Sequence, residues 1–296
     1  ALLGGRIGAS GATRRGALKA ALGVGYAAAA MPIMAQNAIK TPSAGLVSGE
    51  VTIDVNGFKM PAYRSAPAGK TGLPVVLVIS EIFGVHEYIA DVTRRLAQAG
   101  YMAIAPELFV RQGDASAYGE IAKLQAEVIS KVPDGQVMAD LDACVAWAAA
   151  NGGNTDKLAI TGFCWGGRIT WLYAAHQPQV KAGVAWYGRL VGNATAQTPA
   201  HPLALVGSLK APVLGLYGGA EGGFGSVDQV RQCQMLALQV HVQLRAAALA
   251  VRCGDDTVGA AEPGQYVFML QRRVTEVLEK LLLNQLPGEG SGAWAR

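Results

Sequence analysis

Apolar positions along this chain follow two periods that take turns. Val51-Thr52-Ile53-Asp54-Val55 alternates apolar with polar, meets Asn56-Gly57, and returns as Phe58-Lys59-Met60-Pro61-Ala62-Tyr63-Arg64. Alternation on both sides of Asn-Gly predicts a β-hairpin. A second turn spans residues 67–72. Behind it lies Pro74-Val75-Val76-Leu77-Val78-Ile79-Ser80, an unbroken apolar run expected of a strand buried on both faces. Helical spacing takes over at residues 88–99 and stops at Gly100. Short strands are expected again at 101–106, from Leu158, at 180–187 and at 211–220, with helices at 118–131 and 134–150. In the second of these helices Val137, Leu141, Cys144, Val145 and Trp147 fall on one side. Strands alternating with helices, without internal repeats, predict an α/β fold built on a doubly wound, mainly parallel sheet.

The run from Leu158 to Tyr173, LAITGFCWGGRITWLY, changes this picture most. An apolar strand enters the turn Gly162-Phe163-Cys164-Trp165-Gly166-Gly167 and leaves it with helical spacing. Strand, tight glycine-flanked turn and helix is how an α/β-hydrolase sheet presents its nucleophile, and here cysteine holds that position. Glycines two positions either side of Cys164 let strand and helix approach each other. A thiol at a helix N-terminus faces unpaired N–H groups and the positive end of the dipole, which favour thiolate. The Trp165 amide would point at a developing oxyanion. An ordinary βα turn around a buried thiol is the alternative reading of the hexapeptide.

Both ends of the chain read differently. In residues 1–36, Thr13-Arg14-Arg15-Gly16-Ala17-Leu18-Lys19 precedes an alanine-rich run, which describes an export signal of the twin-arginine kind; a leader retained in the cytoplasm is the alternative. The apolar run is too short and too rich in Ala and Gly for a stable membrane span. Residues 37–48 are expected to be a linker, and 49–228 to form the α/β domain. Residues 229–296 read as a divergent C-terminal segment with one amphipathic helix at 271–285 and a glycine-rich tail.

Composition narrows the function classes. With 296 residues, 51% hydrophobic and 16% charged, the chain can build a sizeable core. Its net charge of +4 is scattered, with no basic stripe interleaved with aromatics, so nucleic acid is not the expected partner. The four cysteines, Cys144, Cys164, Cys233 and Cys253, have no C-x-x-C spacing; neither a zinc site nor a disulfide framework is expected. No metal or organic cofactor is implied, and the expected partner is a small molecule. The sequence leaves the oligomeric state open.

Four ordered motifs resemble the dienelactone hydrolase family: Glu81-Ile82-Phe83-Gly84 after a strand, Ala105-Pro106-Glu107-Leu108-Phe109-Val110-Arg111, the Cys164 elbow, and Trp186-Tyr187-Gly188. Tyr217-Gly218-Gly219-Ala220-Glu221 is similar to the segment that carries the family's triad acid. The resemblance covers roughly residues 49–228. It implies an ester or lactone hydrolase with Cys164 as nucleophile, Glu81 as the carboxylate paired with the thiol, and Glu221 as the triad acid. By the same resemblance the Ile82 and Trp165 amides form the oxyanion hole, and Arg111 and Tyr187 bind an anionic substrate.

One departure stands out. The family carries Asp at the position of Glu221, and some tens of residues later a Gly-x-x-His-x-Phe-like segment that supplies the base. No such segment exists here, and no histidine follows His241. Of the four histidines, His176 lies at the far end of the elbow helix and His201 between prolines, which leaves His86 and His241 as those able to approach the thiol. Impaired catalysis is therefore expected, whether through divergence or through a reading-frame change upstream of the C-terminal segment. Two rival readings remain: a non-catalytic protein that binds a small carboxylate, and a thiol redox protein, which the lack of a nearby resolving cysteine disfavours.

Overall fold

The computed structural model describes residues 40–217. A seven-stranded sheet runs through them in the order β1-β2-β4-β3-β5-β6-β7. Its strands are β1 (Leu46–Val55), β2 (Phe58–Pro67), β3 (Leu73–Ile79), β4 (Met102–Pro106), β5 (Gly153–Phe163), β6 (Val180–Trp186) and β7 (Val213–Leu216). The last five pair in parallel, whereas β2 is antiparallel to both β1 and β4. The mainly parallel α/β sheet expected from the sequence is the one observed.

At the hairpin tip Asn56 (φ 52°) and Gly57 (φ 90°) both lie left-handed, as a tight two-residue turn requires, and Val55 pairs with Phe58 across it. The Asp54 carboxylate accepts the Gly57 N–H at 2.8 Å. Strand β1 begins at Leu46, inside the stretch expected to be linker. Leu46 pairs with Pro67 and lengthens the hairpin to ten residues per strand. The polar character of this stretch reflects an outer strand with one wet face, not an absence of structure.

Among the described residues five α-helices join the strands: α1 (Glu87–Gln98), α2 (Ile121–Glu127), α3 (Asp134–Ala150), α4 (Trp165–His176) and α5 (Pro202–Leu205). They cover both faces of the sheet. Val76 and Val78 point into the cluster that holds Ile89, Val92 and Leu96 of α1. Val75, Leu77 and Ile79 point the other way, into the cluster of Val137, Leu141 and Cys144 of α3 and Ile169, Leu172 and Tyr173 of α4. This two-sided burial is why β3 reads as an unbroken apolar run rather than an alternating one.

Two boundaries differ from the periodicity. The helix expected at 118–131 is shorter, because Val128 (φ −121°, ψ −66°) leaves the helical region before a 3₁₀ turn at Ile129–Lys131. Strand β5 starts at Gly153, five residues ahead of Leu158; its polar entry pairs Gly153 with Leu73 and Asn154 with Pro74 beyond the edge of the core. The expected leader, the rest of the 211–220 strand beyond Tyr217, and the C-terminal helix lie outside the described residues.

Candidate active site

Sheet register brings the site together. Ile79 of β3 pairs with Gly162 of β5, Phe163 with Trp186 of β6, and Trp186 with Leu216 of β7. Glu81 and Cys164 each stand two residues beyond a paired position, and Tyr187 and Tyr217 one residue beyond theirs. With neighbouring strands about 4.8 Å apart, these residues form a row along the carboxyl edge of the sheet. Between β3 and β5 the strand order reverses, since β4 lies on one side of β3 and β5 to β7 on the other. A crevice opens at such a reversal, and ligands of open α/β sheets bind there.

Cys164 sits at φ 53° and ψ −111°, at the N-cap of α4, and is half-buried. That conformation is unfavourable for a residue with a Cβ, and the surrounding backbone enforces it. Its amide donates to Trp186 O at 2.9 Å, and its carbonyl accepts the Arg168 N–H at 3.2 Å. The flanking glycines leave no alternative: a Cβ on Gly162 would lie 2.2 Å from Gly166 O, and one on Gly166 would lie 2.4 Å from Ile79 O. Helix α4 is thus pressed directly onto the ends of β3 and β5, with its first turn at the thiol.

A buried ion pair holds the other side of α4. Arg168 donates to both oxygens of Asp134 at 2.7 Å and to Ala200 O at 2.7 Å. Both side chains of the pair are nearly inaccessible. Asp134 opens α3, so this contact fixes the starts of the two helices against each other.

Glu81 and Ile82 are buried in the loop after β3. The His86 imidazole Nε2–H donates to Glu81 Oε2 at 3.0 Å. Phe109 meets Trp165 edge to face at 4.8 Å, which sets the loop after β4 against the first residue of α4. Two residues on, Arg111 donates to both oxygens of Asp140 at 2.7 and 2.8 Å and lies over the Phe58 ring at 4.0 Å. The sequence reading gave Arg111 no protein partner, and this pair is the main addition to it. Asp140 carries a signal that was there to be seen: it shares the inner face of α3 with Val137, Leu141 and Cys144, an acid on an apolar stripe. Burial raises its carboxyl, an effect opposed by Arg111.

Tyr187 ends β6 at φ 40°, and its amide donates to Leu216 O at 2.7 Å. Like Cys164, it is a non-glycine residue held left-handed at the edge of the sheet. His176 pairs with Asp142, at the end of α4 remote from Cys164, and His201 Nδ1 accepts from Arg168 Nε at 3.4 Å. Glu221 and His241 lie outside the described residues. Among the described residues no group of three His, Cys, Asp or Glu side chains is arranged to hold a metal, and no helix is long and apolar enough to cross a membrane.

The dienelactone hydrolase family matches residues 60–246. The chain belongs to that family. Membership makes it an α/β hydrolase acting on esters or lactones, as the four motifs implied. It is 54% identical over 223 residues to a Methylorubrum extorquens protein provisionally named a carboxymethylenebutenolidase, covering 74% of this chain and 77% of that one. An Escherichia coli K12 protein of the same provisional name is 51% identical over 211 residues, 70% and 78% of the two chains. Among solved structures, a provisionally named dienelactone hydrolase from Klebsiella pneumoniae superposes with a TM-score of 0.63 at 53% identity, covering 66% and 82%. The family match continues past Asp228 and stops at residue 246, so the first part of the segment set apart as divergent still carries family character.

The environments of two cysteines predict their reactivity. Cys144 is fully buried, and burial pushes its thiol up, so it stays protonated and shielded. Cys164 is half-buried at a helix N-terminus. Brief alkylation at neutral pH followed by peptide mapping is expected to label Cys164 and spare Cys144. Equal labelling of the two would remove the case for an activated thiol at the elbow.

Proposed function

We propose that this dienelactone hydrolase family member cleaves esters or lactones bearing an anionic group, with the Cys164 thiolate as nucleophile. The observation that carries the reading is the left-handed Cys164 at the junction of β5 and α4. The sulfur attacks the substrate carbonyl, the ring or ester C–O bond breaks, and the leaving oxygen takes a proton. A thioester remains on Cys164. Water then attacks that thioester, releases the carboxylate and returns the thiol. The Ile82 and Trp165 amides are the proposed oxyanion donors, and Glu81 the proposed acceptor of the thiol proton. Arg111 is the proposed contact for the substrate's charge; Asp140 occupies two of its five donors, which leaves others to offer. Tyr187 is proposed to line the same pocket, and Glu221 to serve as the triad acid.

Deacylation is the proposed weak step, because no histidine follows His241 in this chain. That same absence favours one rival, a non-catalytic protein that binds a small carboxylate. Intact-protein mass spectrometry after brief exposure to a reactive ester decides between them. One acyl group on the Cys164 peptide, absent in Cys164→Ala, supports the hydrolase reading; no adduct favours the binding protein. Export through the twin-arginine-like leader is also proposed. N-terminal sequencing of periplasmic protein is expected to begin near residues 35–39, and an intact leader on cytoplasmic protein would reject it.

A further inference from the structure

We propose that His86 is a positioning residue that orients the Glu81 carboxylate, so that its second oxygen takes the Cys164 proton. This rests on the hydrolase reading above and adds a residue that it does not use. Glu81 stands beside Cys164 by sheet register, two residues beyond the Ile79–Gly162 pair. Its carboxylate can only accept, so the 3.0 Å contact with His86 Nε2 fixes a proton on that nitrogen. Oε2 is then committed to the imidazole, and Oε1 is the oxygen left for the thiol. Both side chains are largely withdrawn from water, at 13% and 12% exposure. A hydrogen bond to a carboxylate is strong in such surroundings and fixes how the group is turned.

The loop around His86 is built to keep the ring in place. His86 stacks on Tyr88 at 6.3 Å, and Tyr88 meets Phe163, the residue before Cys164, edge to face at 6.3 Å. From the neighbouring strand, the Glu107 carboxylate accepts the Val85 N–H at 3.0 Å and fills the space beside Gly84. Among the described residues the titratable groups facing His86 are therefore Glu81 on its own loop, Tyr88 at the start of α1, and Glu107 from the end of β4. Burial raises the Glu107 carboxyl, and the attraction of His86 opposes that rise. The other ring nitrogen, His86 Nδ1, is buried with no hydrogen-bond partner among the described residues. A buried polar atom left unpaired costs about 1–3 kcal/mol. Such a cost is tolerated where the other nitrogen has a task that fixes the ring.

The thiol proton passes from Sγ to Glu81 Oε1, giving thiolate and a neutral carboxyl. His86 keeps its own proton throughout. The test measures iodoacetamide alkylation of Cys164 against pH in the full chain, for wild type and for His86→Phe, His86→Gln, Glu81→Gln and the Glu81→Gln/His86→Phe double variant. His86→Phe keeps the ring stack and removes the donor. It is expected to slow alkylation at neutral pH about tenfold and to move the profile up by about one pH unit. His86→Gln restores a donor and should recover most of the rate. In the Glu81→Gln background, His86→Phe should add nothing. A His86→Phe profile that matches wild type, or one that shifts equally with and without Glu81, overturns the inference.

A second measurement needs no variant: in wild-type protein the imidazole 15N resonances of His86 are expected to move when Cys164 is alkylated. Unmoved resonances also overturn it. Turnover is not read, so the two claims fail separately. An unreactive Cys164 defeats the hydrolase reading, whereas a reactive Cys164 indifferent to His86 defeats this one alone.

Discussion

A p-nitrophenyl ester mixed with this chain is expected to release one equivalent of p-nitrophenol quickly and then almost none. Acylation needs a thiolate, which in the proposed mechanism the N-terminus of α4 favours and Glu81 helps to form. Deacylation needs something else, a base beside the thioester that removes a proton from water. General base catalysis contributes about 10²–10⁴-fold, so steady turnover should trail the burst by that order. Glu81 is a poor substitute, because a carboxylate is a much weaker base than imidazole near neutral pH. His86 is committed to Glu81 through Nε2. Stopped-flow traces on wild type, Cys164→Ser and Cys164→Ala separate the steps, with the burst expected to vanish in Cys164→Ala. Rapid multiple turnover by wild type would show that a histidine does serve the acyl-enzyme and would end the proposal of impairment. No burst in any form would favour the non-catalytic reading.

Asp134→Ala is expected to be the most damaging change away from the row of site residues. Among the described residues it would leave the Arg168 guanidinium, 6% exposed, with only the Ala200 carbonyl and His201 for partners. Breaking a buried pair by removing one member costs about 3–5 kcal/mol, because the remaining charge is uncompensated. Much of a typical domain's stability is of that size. Arg168 is four residues after Cys164 and its amide bonds to the Cys164 carbonyl, so the loss falls on the elbow itself. Urea unfolding monitored by far-ultraviolet circular dichroism should show a large drop in midpoint. The Asp134→Ala/Arg168→Leu double variant should lose less, since it leaves no buried charge behind. A drop below about 1 kcal/mol for Asp134→Ala would mean that the pair is solvated and does not anchor the helices.

The sequence by itself determined the architecture and the position of the strained turn at Cys164. Local period separates the alternating hairpin from the doubly buried β3 and from the helices, and each signal comes from residues close together in the chain. The elbow was equally legible, because strand, glycine-flanked turn and helix follow one another in sequence. Gly162 is held to glycine by the Gly166 carbonyl of the same turn, although Gly166 is held to it by Ile79 and Ser80 at the end of β3. Where local pattern misled, the reason was tertiary. The polar entry of β5 is strand because β3 offers it partners, and β1 begins early because Pro67 pairs with Leu46.

Only the folded chain decided what the polar side chains do. Arg111 and Asp140 are 29 residues apart in sequence, Arg168 and Asp134 are 34 apart, and each pair forms because the sheet brings together the elements that carry them. No periodicity encodes such a meeting. His86 marks the boundary between the two kinds of knowledge. It lies only five residues from Glu81, yet whether its ring turns to that carboxylate depends on Tyr88, Phe163 and Glu107, contributed by α1, β5 and the end of β4. Sequence spacing allowed that contact, and packing from three separate elements selected it.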